Sequence, residues 1–360
     1  MTDPKPKQSI RYLRTADDVR LAWAEAGAGP PLVKAANWLT HLEYEWDSPV
    51  WRHWMHFFAG HYRFIRYDER GCGMTDWEVG DLSVDTWLGD LEAVVAAARP
   101  AGAFVLVGIS QGAAAAIAFA VRHPERVSHL VLYGAYALGV ARRGDEGAER
   151  RYRAMVELAR YGWGSDNVAF RQVFTSRFIP EGTDEQIRWF NELCTKTVSA
   201  ENAARLLEAR SSIDVTALLP QVRTPTLVLH GRDDDITPLG QGRLLATSIP
   251  GAEFVELDSR NHILLAEEPA WRRFCAAVVE FTGVAASAPA AGAAAFAELS
   301  AREREVLALL TQGLANAEIG ARLGISDKTV RNHLTHLFDK LGVWSRAQAI
   351  VFARDRGFAG

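Results

Sequence analysis

The sequence has few cysteines and almost no net charge. Only three of its 360 residues are cysteine, and no two of them form a C-x-x-C pair. Neither a disulfide framework nor a zinc site is therefore indicated, and we expect no metal and no cofactor. The formal net charge is −4, and 48% of the residues are hydrophobic and 23% charged. This composition is that of a folded globular protein and excludes a disordered, collagen-like or fibrous chain.

The chain also lacks a recognisable leader or membrane span. Its first residues, MTDPKPK, contain no apolar stretch of the kind found in signal peptides, so we expect a cytoplasmic protein. Residues 101–121 are uncharged and long enough to cross a membrane, but about half are Ala or Gly, and Ser110 and Gln111 stand at the centre. A buried strand, a tight turn and an Ala-rich buried helix explain this segment better.

Length and pattern predict two domains. At the usual size of roughly 150 residues per domain, this length corresponds to about two domains. In the longer, N-terminal part, short apolar runs alternate with helical stretches, an order typical of an α/β fold with a largely parallel sheet covered on both faces. The predicted strands are residues 31–34, 62–67, 103–108, 127–133, 225–230 and 252–257.

Two segments interrupt or follow this alternation. About ninety residues after Tyr133 read as amphipathic helices rich in Arg, Glu and aromatics, which predicts a helical cap at about 135–220. Residues 283–297 read GVAASAPAAGAAAFA, an uncharged low-complexity stretch typical of an interdomain linker. We therefore expect one domain over 1–282 and a second over 298–360.

A serine motif follows one of the predicted strands. Gly108-Ile109-Ser110-Gln111-Gly112 matches G-x-S-x-G and leads into a helix-forming run. In this context the serine sits on a strained strand-to-helix turn with its oxygen exposed, and the helix N-terminus offers N–H groups to developing negative charge. The motif alone is weak, because chance gives about 0.1 occurrences in a chain of this composition. The motif indicates a nucleophilic serine only together with partner residues elsewhere in the chain.

Partners of the right type follow in the order that such hydrolases use. A nucleophilic serine needs an imidazole to accept its proton and a carboxylate to orient that imidazole. Three aspartates follow the strand 225–230, and His262 follows the strand 252–257. The loop reads His230-Gly231-Arg232-Asp233-Asp234-Asp235-Ile236-Thr237-Pro238.

Over roughly residues 10–282 the chain resembles the α/β-hydrolase family, which has an H-G-x-x-D-x-x-x-P loop at this place. A second similarity is the turn Asp68-Glu69-Arg70-Gly71-Cys72-Gly73-Met74-Thr75, which matches the family's D-x-R-G-x-G-x-S pattern. The resemblance implies a catalytic triad of Ser110, Asp234 and His262, with Asp233 and Asp235 as solvated neighbours or caps. A satisfied structural histidine is the alternative for His262.

The loop after strand 31–34 departs from the family pattern. Many active members have His-Gly there, whereas this chain reads Lys34-Ala35-Ala36-Asn37-Trp38. The backbone N–H of Gln111 is one expected oxyanion donor, and an N–H or side chain at Asn37 or Trp38 is the candidate for the second. A triad with a weak oxyanion hole suits a sensor as well as an enzyme.

Aromatic residues are concentrated after strand 31–34 and in the predicted cap. We expect some of them to line a pocket for a small apolar or aromatic ligand, with core packing as the alternative for any single one. The predicted ligand-binding residues are Trp38, Ser110, Trp163 and His262.

The last sixty residues have a different character. Residues 299–360 contain nine Lys and Arg against six Asp and Glu, a weak basic excess that also occurs by chance. Short helices are predicted from a capping box at Ser300 to Glu303, from Asn316, from Ser326 and from a second capping box at Ser345 to Gln348. The third of these helices has an apolar stripe at Val330, Leu334, Leu337 and Leu341 and polar residues on its other side.

This segment closely resembles the LuxR-type helix-turn-helix domain over about residues 298–357. The resemblance rests on 299–307, on 316–320, on Ile325-Ser326-Asp327-Lys328-Thr329-Val330-Arg331-Asn332-His333 and on 340–343. It implies binding of double-stranded DNA in the major groove, usually as a homodimer with the last helix as a common dimer surface. By matching positions, Arg331, Asn332 and Thr335 should face bases, and Lys328 and Thr329 phosphates.

Two functions are compatible with this organisation. The first is a transcription regulator in which a small molecule bound in the hydrolase-fold domain alters the DNA affinity of the helix-turn-helix domain. The second is a serine hydrolase of an ester, amide or lactone in which DNA binding is accessory. A catalytically inactive scaffold for protein contacts is the third interpretation.

Overall fold

The computed structural model describes residues 7–284, 296, 299–341, 343, 346–355 and 358. Contacts divide the chain into two compact units, one that ends at Val284 and one that follows it. Most of the predicted linker 283–297 lies outside the described residues, as does Ser345 of the second predicted capping box.

An eight-stranded sheet forms the centre of the first unit. Its strands are β1 (Ser9–Arg14), β2 (Arg20–Ala26), β3 (Pro31–Lys34), β4 (Arg63–Tyr67), β5 (Phe104–Ile109), β6 (Val127–Tyr133), β7 (Thr226–Gly231) and β8 (Glu253–Leu257). The order across the sheet is β1-β2-β4-β3-β5-β6-β7-β8. β1 pairs antiparallel with β2 and β2 with β4, and every other neighbouring pair is parallel. The predicted mostly parallel α/β sheet is therefore confirmed.

Helices connect the strands. They are α1 (Leu42–Trp46), α2 (Arg52–His61), α3 (Val84–Ala98), α4 (Gly112–Arg122), α5 (Glu146–Gly162), α6 (Ala169–Phe178), α7 (Asp184–Thr197), α8 (Ala200–Ser211), α9 (Leu239–Ser248) and α10 (Pro269–Thr282). α5 to α8 lie between β6 and β7 in sequence, in the segment for which a helical cap is predicted, and are called the cap below.

Residues 101–121 form β5 and most of α4, as the composition predicted. Every residue from Gly112 to Ala120 is buried. Alanine side chains are small, so neighbouring elements can pack closely against every face of this helix. Among the described residues, no helix is both long enough and apolar enough to cross a membrane.

The parallel strands bring distant segments together at one edge of the sheet. Parallel neighbours point the same way, so the loops that follow β3, β5, β6, β7 and β8 all leave from the same edge. These loops carry Trp38, Ser110, Gly134, Asp234 and His262. The topology therefore places all the predicted catalytic residues at a single edge.

The second unit has four helices in its described part. They are Ala301–Thr311, Asn316–Leu323, Asp327–Leu341 and Arg346–Asp355. The predicted capping box is present, since the Ser300 side chain accepts from Glu303 N and the Glu303 carboxylate accepts from Ser300 N. The second helix differs from the prediction, because Asn316 is its first residue and Ala315 occupies the cap position. The backbone N–H of Ala315 donates to the Glu318 carboxylate at 2.6 Å instead.

The third of these helices, Asp327–Leu341, is held by the predicted apolar stripe. Val330, Leu334, Leu337 and Leu341 are all buried in the core of the unit, together with residues of the other three helices. Before this helix the chain turns at Gly324, which has a left-handed φ of 65°. This arrangement leaves the opposite face of the helix to solvent.

Candidate active site and nucleic-acid interface

Ser110 occupies the sharp turn between β5 and α4. Its φ of +53° lies in the left-handed region, which costs a residue with a side chain roughly 1–2 kcal/mol. The backbone holds this conformation, because the Ser110 N–H donates to the Tyr133 carbonyl at 2.9 Å. A strained residue that the surrounding structure fixes in this way is typical of a nucleophile turn.

The two motif glycines are required by close approach. A Cβ on Gly108 would lie 2.7 Å from Ala113 Cα, and one on Gly112 would lie 2.6 Å from the Ala36 carbonyl oxygen. Both distances are too short for any side chain, so the turn can close only with glycine at these positions.

Asp234 and His262 form a buried pair. His262 Nδ1 lies 2.6 Å from Asp234 Oδ2, and both side chains are at most 2% exposed. The other carboxylate oxygen, Oδ1, accepts the N–H groups of Ile236 at 2.8 Å and Thr237 at 3.0 Å. Burial alone would raise the pKa of Asp234, but the His262 ring and the Thr237 N–H outweigh burial and lower this pKa below its ordinary value. Asp234 is therefore an ionised partner that can orient an imidazole.

The flanking aspartates have a different environment. Asp233 and Asp235 are exposed, whereas Asp234 is buried. Of the three carboxylates in this loop, Asp234 alone has the geometry of the acid of a triad.

The second ring nitrogen of His262 is not used in the pair with Asp234. Within residues 7–284, the buried Nε2 atom has no hydrogen-bond partner, Ser110 included. Catalytic hydrogen bonds are often long before a ligand binds and tighten in the complex. His262 Nε2 is therefore available as a hydrogen-bond acceptor in the described structure.

Gly134 makes room for the pair and was not predicted. It follows β6 with a φ of +54°, and a Cβ there would lie 3.1 Å from His262 Cε1 and 3.7 Å from Asp234 Oδ2. A glycine after a predicted strand is too common a pattern to have indicated this role.

The candidate oxyanion loop is held by side chains of its own. Asn37 Oδ1 accepts from the Lys34 ammonium, and Asn37 Nδ2 donates to the Trp38 carbonyl at 2.9 Å. Burial lowers the pKa of Lys34 to about 8. Asn37 thus shapes the loop through its side chain, and Gln111 stands at the start of α4, where backbone N–H groups are free to point at an oxyanion.

A cavity of about 790 Å³ lies next to this turn. Ser110, Gln111 and Trp38 line it together with residues of the cap, and its apolar lining includes Val140, Met155, Phe174, Phe178 and Leu207. A volume of this size is ordinary for a small-molecule site. The cavity therefore lies between the loops at the carboxyl edge of the sheet and the cap.

Two of the predicted ligand-binding residues have other positions. Trp163 is buried beside Trp38, with ring centroids 5.6 Å apart, and donates its indole N–H to the Cys194 carbonyl at 2.8 Å. His262 is buried under Phe178, whose ring packs edge-on at 5.4 Å. Neither side chain is part of the lining, whereas Trp38 and Ser110 are.

No candidate metal centre was found in the described part of the chain, where no three His, Cys, Asp or Glu side chains are grouped suitably.

The third helix of the second unit presents its polar side chains to solvent. Lys328, Arg331, Asn332 and Thr335 are exposed and Thr329 is partly exposed. Arg331 forms an ion pair of 2.8 Å with Asp327, one turn earlier. This pair is exposed, so it is weak and easily exchanged for another partner.

Comparison with known proteins follows the same division. Residues 41–269 match the family described as alpha/beta hydrolase fold. This chain belongs to the alpha/beta hydrolase family. Residues 297–353 match a second family, described as bacterial regulatory proteins of the luxR family. The protein is thus a regulator with an alpha/beta hydrolase domain and a LuxR-type DNA-binding domain.

Relatives of each part are known. The alpha/beta hydrolase part is similar to pyrrolizixenacetamide deacetylase of Xenorhabdus hominickii, with 28% identity over 70% of this chain and 91% of that protein. It is also similar to the crystal structure of the esterase RhEst1 from a Rhodococcus species, with a TM-score of 0.61, 25% identity, and coverage of 76% and 98% of the two chains. The LuxR-type part is 58% identical over 53 residues to the probable transcriptional regulatory protein SgaR of Hyphomicrobium methylovorum, which covers 15% of this chain and 25% of that protein.

Proposed function

We propose that a small molecule bound in the hydrolase-fold domain controls how tightly the LuxR-type domain binds DNA. The observation that carries this proposal is the cavity of about 790 Å³ beside Ser110, in a chain that also has a DNA-binding domain. In this proposal residues 1–282 form the sensor, 283–297 the linker and 298–360 the DNA reader, and the protein acts in the cytoplasm.

Control of this kind requires that the ligand bind one state of the protein more tightly than another. A ligand shifts an equilibrium only by the difference in its affinity for the two states. We propose that the two states differ in dimerisation, because LuxR-type readers commonly bind two-fold DNA sites as homodimers. The last helix, Arg346–Asp355, is the proposed dimer surface, as the resemblance to LuxR-type domains implies.

The DNA contacts proposed from the sequence are compatible with the exposed face of helix Asp327–Leu341. In this proposal Arg331, Asn332 and Thr335 read bases, and Lys328 and Thr329 contact phosphates. Arg331 would have to exchange its pair with Asp327 for a base edge.

A serine hydrolase acting on an ester, amide or lactone is the second candidate. The left-handed backbone of Ser110 and the 2.6 Å pair of Asp234 and His262 favour it. Ser110 Oγ would attack the carbonyl carbon while His262 Nε2 takes the hydroxyl proton and then gives it to the leaving group. The N–H groups of Gln111 and Trp38 would receive the oxyanion. Water would then release the acyl group from Ser110 by the reverse proton transfers.

The replacement Ser110→Ala separates the two functions. DNA selected from a random duplex pool by the full-length protein supplies a binding site, and a reporter carrying that site is screened with esters, lactones and acids. A sensor retains its response to an active compound after Ser110→Ala, whereas an enzyme, or a sensor of its own product, loses it. A reporter that responds to no compound and is also indifferent to deletion of residues 1–282 would contradict control by the hydrolase-fold domain.

A further inference from the structure

Arg210 is a buried cation with unused hydrogen-bond capacity. It lies near the end of α8, is 5% exposed and lines the cavity. Its Nη2 atom pairs with the Glu69 carboxylate. Its Nε and Nη1 atoms, although buried, have no hydrogen-bond partner among the described residues. Buried polar atoms are nearly always satisfied, so two unsatisfied donors on a residue that lines a cavity point to a ligand.

The position of the guanidinium is fixed by an aromatic ring. Arg210 Cζ lies 4.3 Å from the centroid of Trp38, a distance typical of a cation stacked on an indole. Trp38 lines the same cavity and is itself packed against Trp163. With Glu69 on one nitrogen and Trp38 on one face, the guanidinium is oriented before any ligand arrives. Preorganised donors of this kind favour a compact anion.

The charge of the rest of the cavity has the same sign. Three further arginines line it: Arg143, Arg151 and Arg177. The N–H of Ala148 lowers the pKa of the Asp145 carboxyl, and Arg151 lies close enough to lower this pKa further. No ion pair with a carboxylate is formed by Arg143 or Arg177 among the described residues. Arg143 and Arg177 instead donate to backbone carbonyls, those of Leu138 and Asp235. The lining contains two carboxylates, Asp145 and Asp235, and both are exposed. The carboxylate of Asp145 is used as a helix cap, since it accepts the N–H of Ala148 at 2.9 Å.

We propose that the ligand of this cavity is an organic acid with an apolar body, whose carboxylate is received by Arg210. The carboxylate would accept from the nitrogens that Glu69 leaves unused, with Arg143 and Arg177 adding to the positive potential. The body would contact the apolar lining at Met155, Phe174 and Phe178. This inference rests on the proposed ligand site and names the chemical class of its ligand.

Matched acids and amides test the inference directly. Calorimetric titration of full-length Ser110→Ala protein at neutral pH would use phenylacetate, 4-phenylbutyrate, 1-naphthaleneacetate and octanoate, each beside its primary amide. The Ser110→Ala background removes turnover, and acid and amide differ little except in charge. We expect at least one acid to bind about tenfold or more tightly than its amide, because charge-assisted hydrogen bonds are the stronger kind. Amides that bind as tightly as their acids, or the absence of binding by every acid at millimolar concentration, would overturn the proposal.

Variants then assign the preference to Arg210. The double replacement Arg210→Gln with Glu69→Gln avoids a buried unpaired carboxylate and should weaken acid binding about tenfold while leaving amide binding within about threefold. Arg205→Gln is the matched control, since Arg205 lies on the same helix, donates to the Val79 carbonyl at 3.0 Å and is not part of the cavity lining. An equal loss for acid and amide in the double variant would show a merely structural role and contradict the assignment.

A further variant protects the test against misfolding. Arg210→Lys keeps the charge opposite Glu69 but removes the guanidinium, and we expect it to weaken acid binding by an intermediate factor. The regulatory proposal is tested separately by DNA affinity. Acid binding without any effect on DNA affinity would support the inference and contradict the regulatory proposal, and a DNA response to neutral compounds alone would do the reverse.

Discussion

Phe178, the last residue of α6, contacts His262 in two ways. The backbone carbonyl of Phe178 accepts a hydrogen bond from the backbone N–H of His262 at 2.9 Å. The Phe178 ring packs edge-on against the imidazole of His262, with a centroid distance of 5.4 Å. Phe178 also lines the cavity. A single residue between β6 and β7 therefore contacts both the cavity and the histidine of the candidate triad.

The replacement Phe178→Ala tests this contact. Loss of the ring should reduce the rate at which a fluorophosphonate labels Ser110 by a factor of about three to ten, equivalent to roughly 1 kcal/mol for an aromatic contact. Intact mass against time measures the rate. Phe170→Ala is the control, since Phe170 lies on the same helix but is 37% exposed and is not part of the lining. Equal rates for Phe178→Ala and wild type would show that the ring does not position His262.

Gly134 provides a second test of the site. Gly134→Ala should cost about 1–2 kcal/mol of unfolding free energy for the left-handed backbone, and its Cβ would also press on His262. Gly144→Ala is the control, because Gly144 has the same kind of backbone, with a φ of +74°, but a Cβ there would meet no atom within 4 Å. We expect both variants to lose stability in urea and only Gly134→Ala to lose labelling of Ser110. Normal labelling of Gly134→Ala would contradict the proposed positions of Ser110 and His262.

Strain at Ser110 can be measured as stability. A glycine tolerates positive φ, so Ser110→Gly should be more stable than Ser110→Ala by about 1 kcal/mol, although both lack the hydroxyl. Ser176, inside helix α6, gives the opposite control, because Gly in a helix interior is less stable than Ala by about 1 kcal/mol. Urea unfolding of Ser110→Gly, Ser110→Ala, Ser176→Gly and Ser176→Ala measures the difference in unfolding free energy between Gly and Ala at each position. The same order at the two positions would mean that Ser110 is not strained.

The buried Lys34 predicts a pH dependence. Its pKa in the folded protein is about 8, below the ordinary value of 10.5, so between these values the unfolded chain binds more protons than the folded one. Stability should therefore rise with pH between about 8 and 10.5, by at most about 3 kcal/mol. Lys34→Met should remove this rise, whereas Lys196→Met, at an exposed lysine, should not. Parallel pH profiles for wild type and Lys34→Met would contradict the lowered pKa.

Two replacements on the polar face of helix Asp327–Leu341 should weaken DNA binding in different ways. Arg331→Ala should cost about 1–3 kcal/mol of binding and relax sequence preference, because an arginine at a base edge discriminates between bases. Lys328→Ala should weaken binding to all sequences alike and reduce the salt slope by about one. Titrations of selected and scrambled duplexes at several salt concentrations measure both. Unchanged sequence preference in Arg331→Ala would remove this helix as the reader.

Most of the sheet was predictable because β3 to β7 are short runs that are largely buried on both faces. The edge strand β8 is mostly half-buried. The six predicted strands correspond to β3 to β8, within a residue or two at either end. β1 and β2 were not predicted. β1, SIRYLR, is an edge strand whose residues are all exposed or half-buried, so it lacks the continuous apolar run that marked the others.

The site was predictable where chain order and motif carried the information. The Ser110 turn follows from a strand, two glycines and a helix, and Asp234 from a loop with a fixed spacing to Pro238. Arg210 gave no local signal, because its partner Glu69 lies 141 positions away. Trp163 illustrates the opposite case, since composition indicated a ligand contact and the fold buries it beside Trp38. Contacts between residues that are distant in sequence depend on tertiary packing, so the local sequence pattern does not predict them.

Occupation of the cavity should change the affinity for DNA, and a covalent probe tests this most directly. Full-length protein is labelled at Ser110 with a fluorophosphonate to one adduct per chain, with Ser110→Ala treated in parallel, and the affinity of each for a selected duplex is measured. We expect labelling to change the affinity of wild-type protein by about fivefold or more and to leave Ser110→Ala unchanged. Stoichiometric adduct with unaltered DNA affinity would contradict control of the DNA reader by the hydrolase-fold domain.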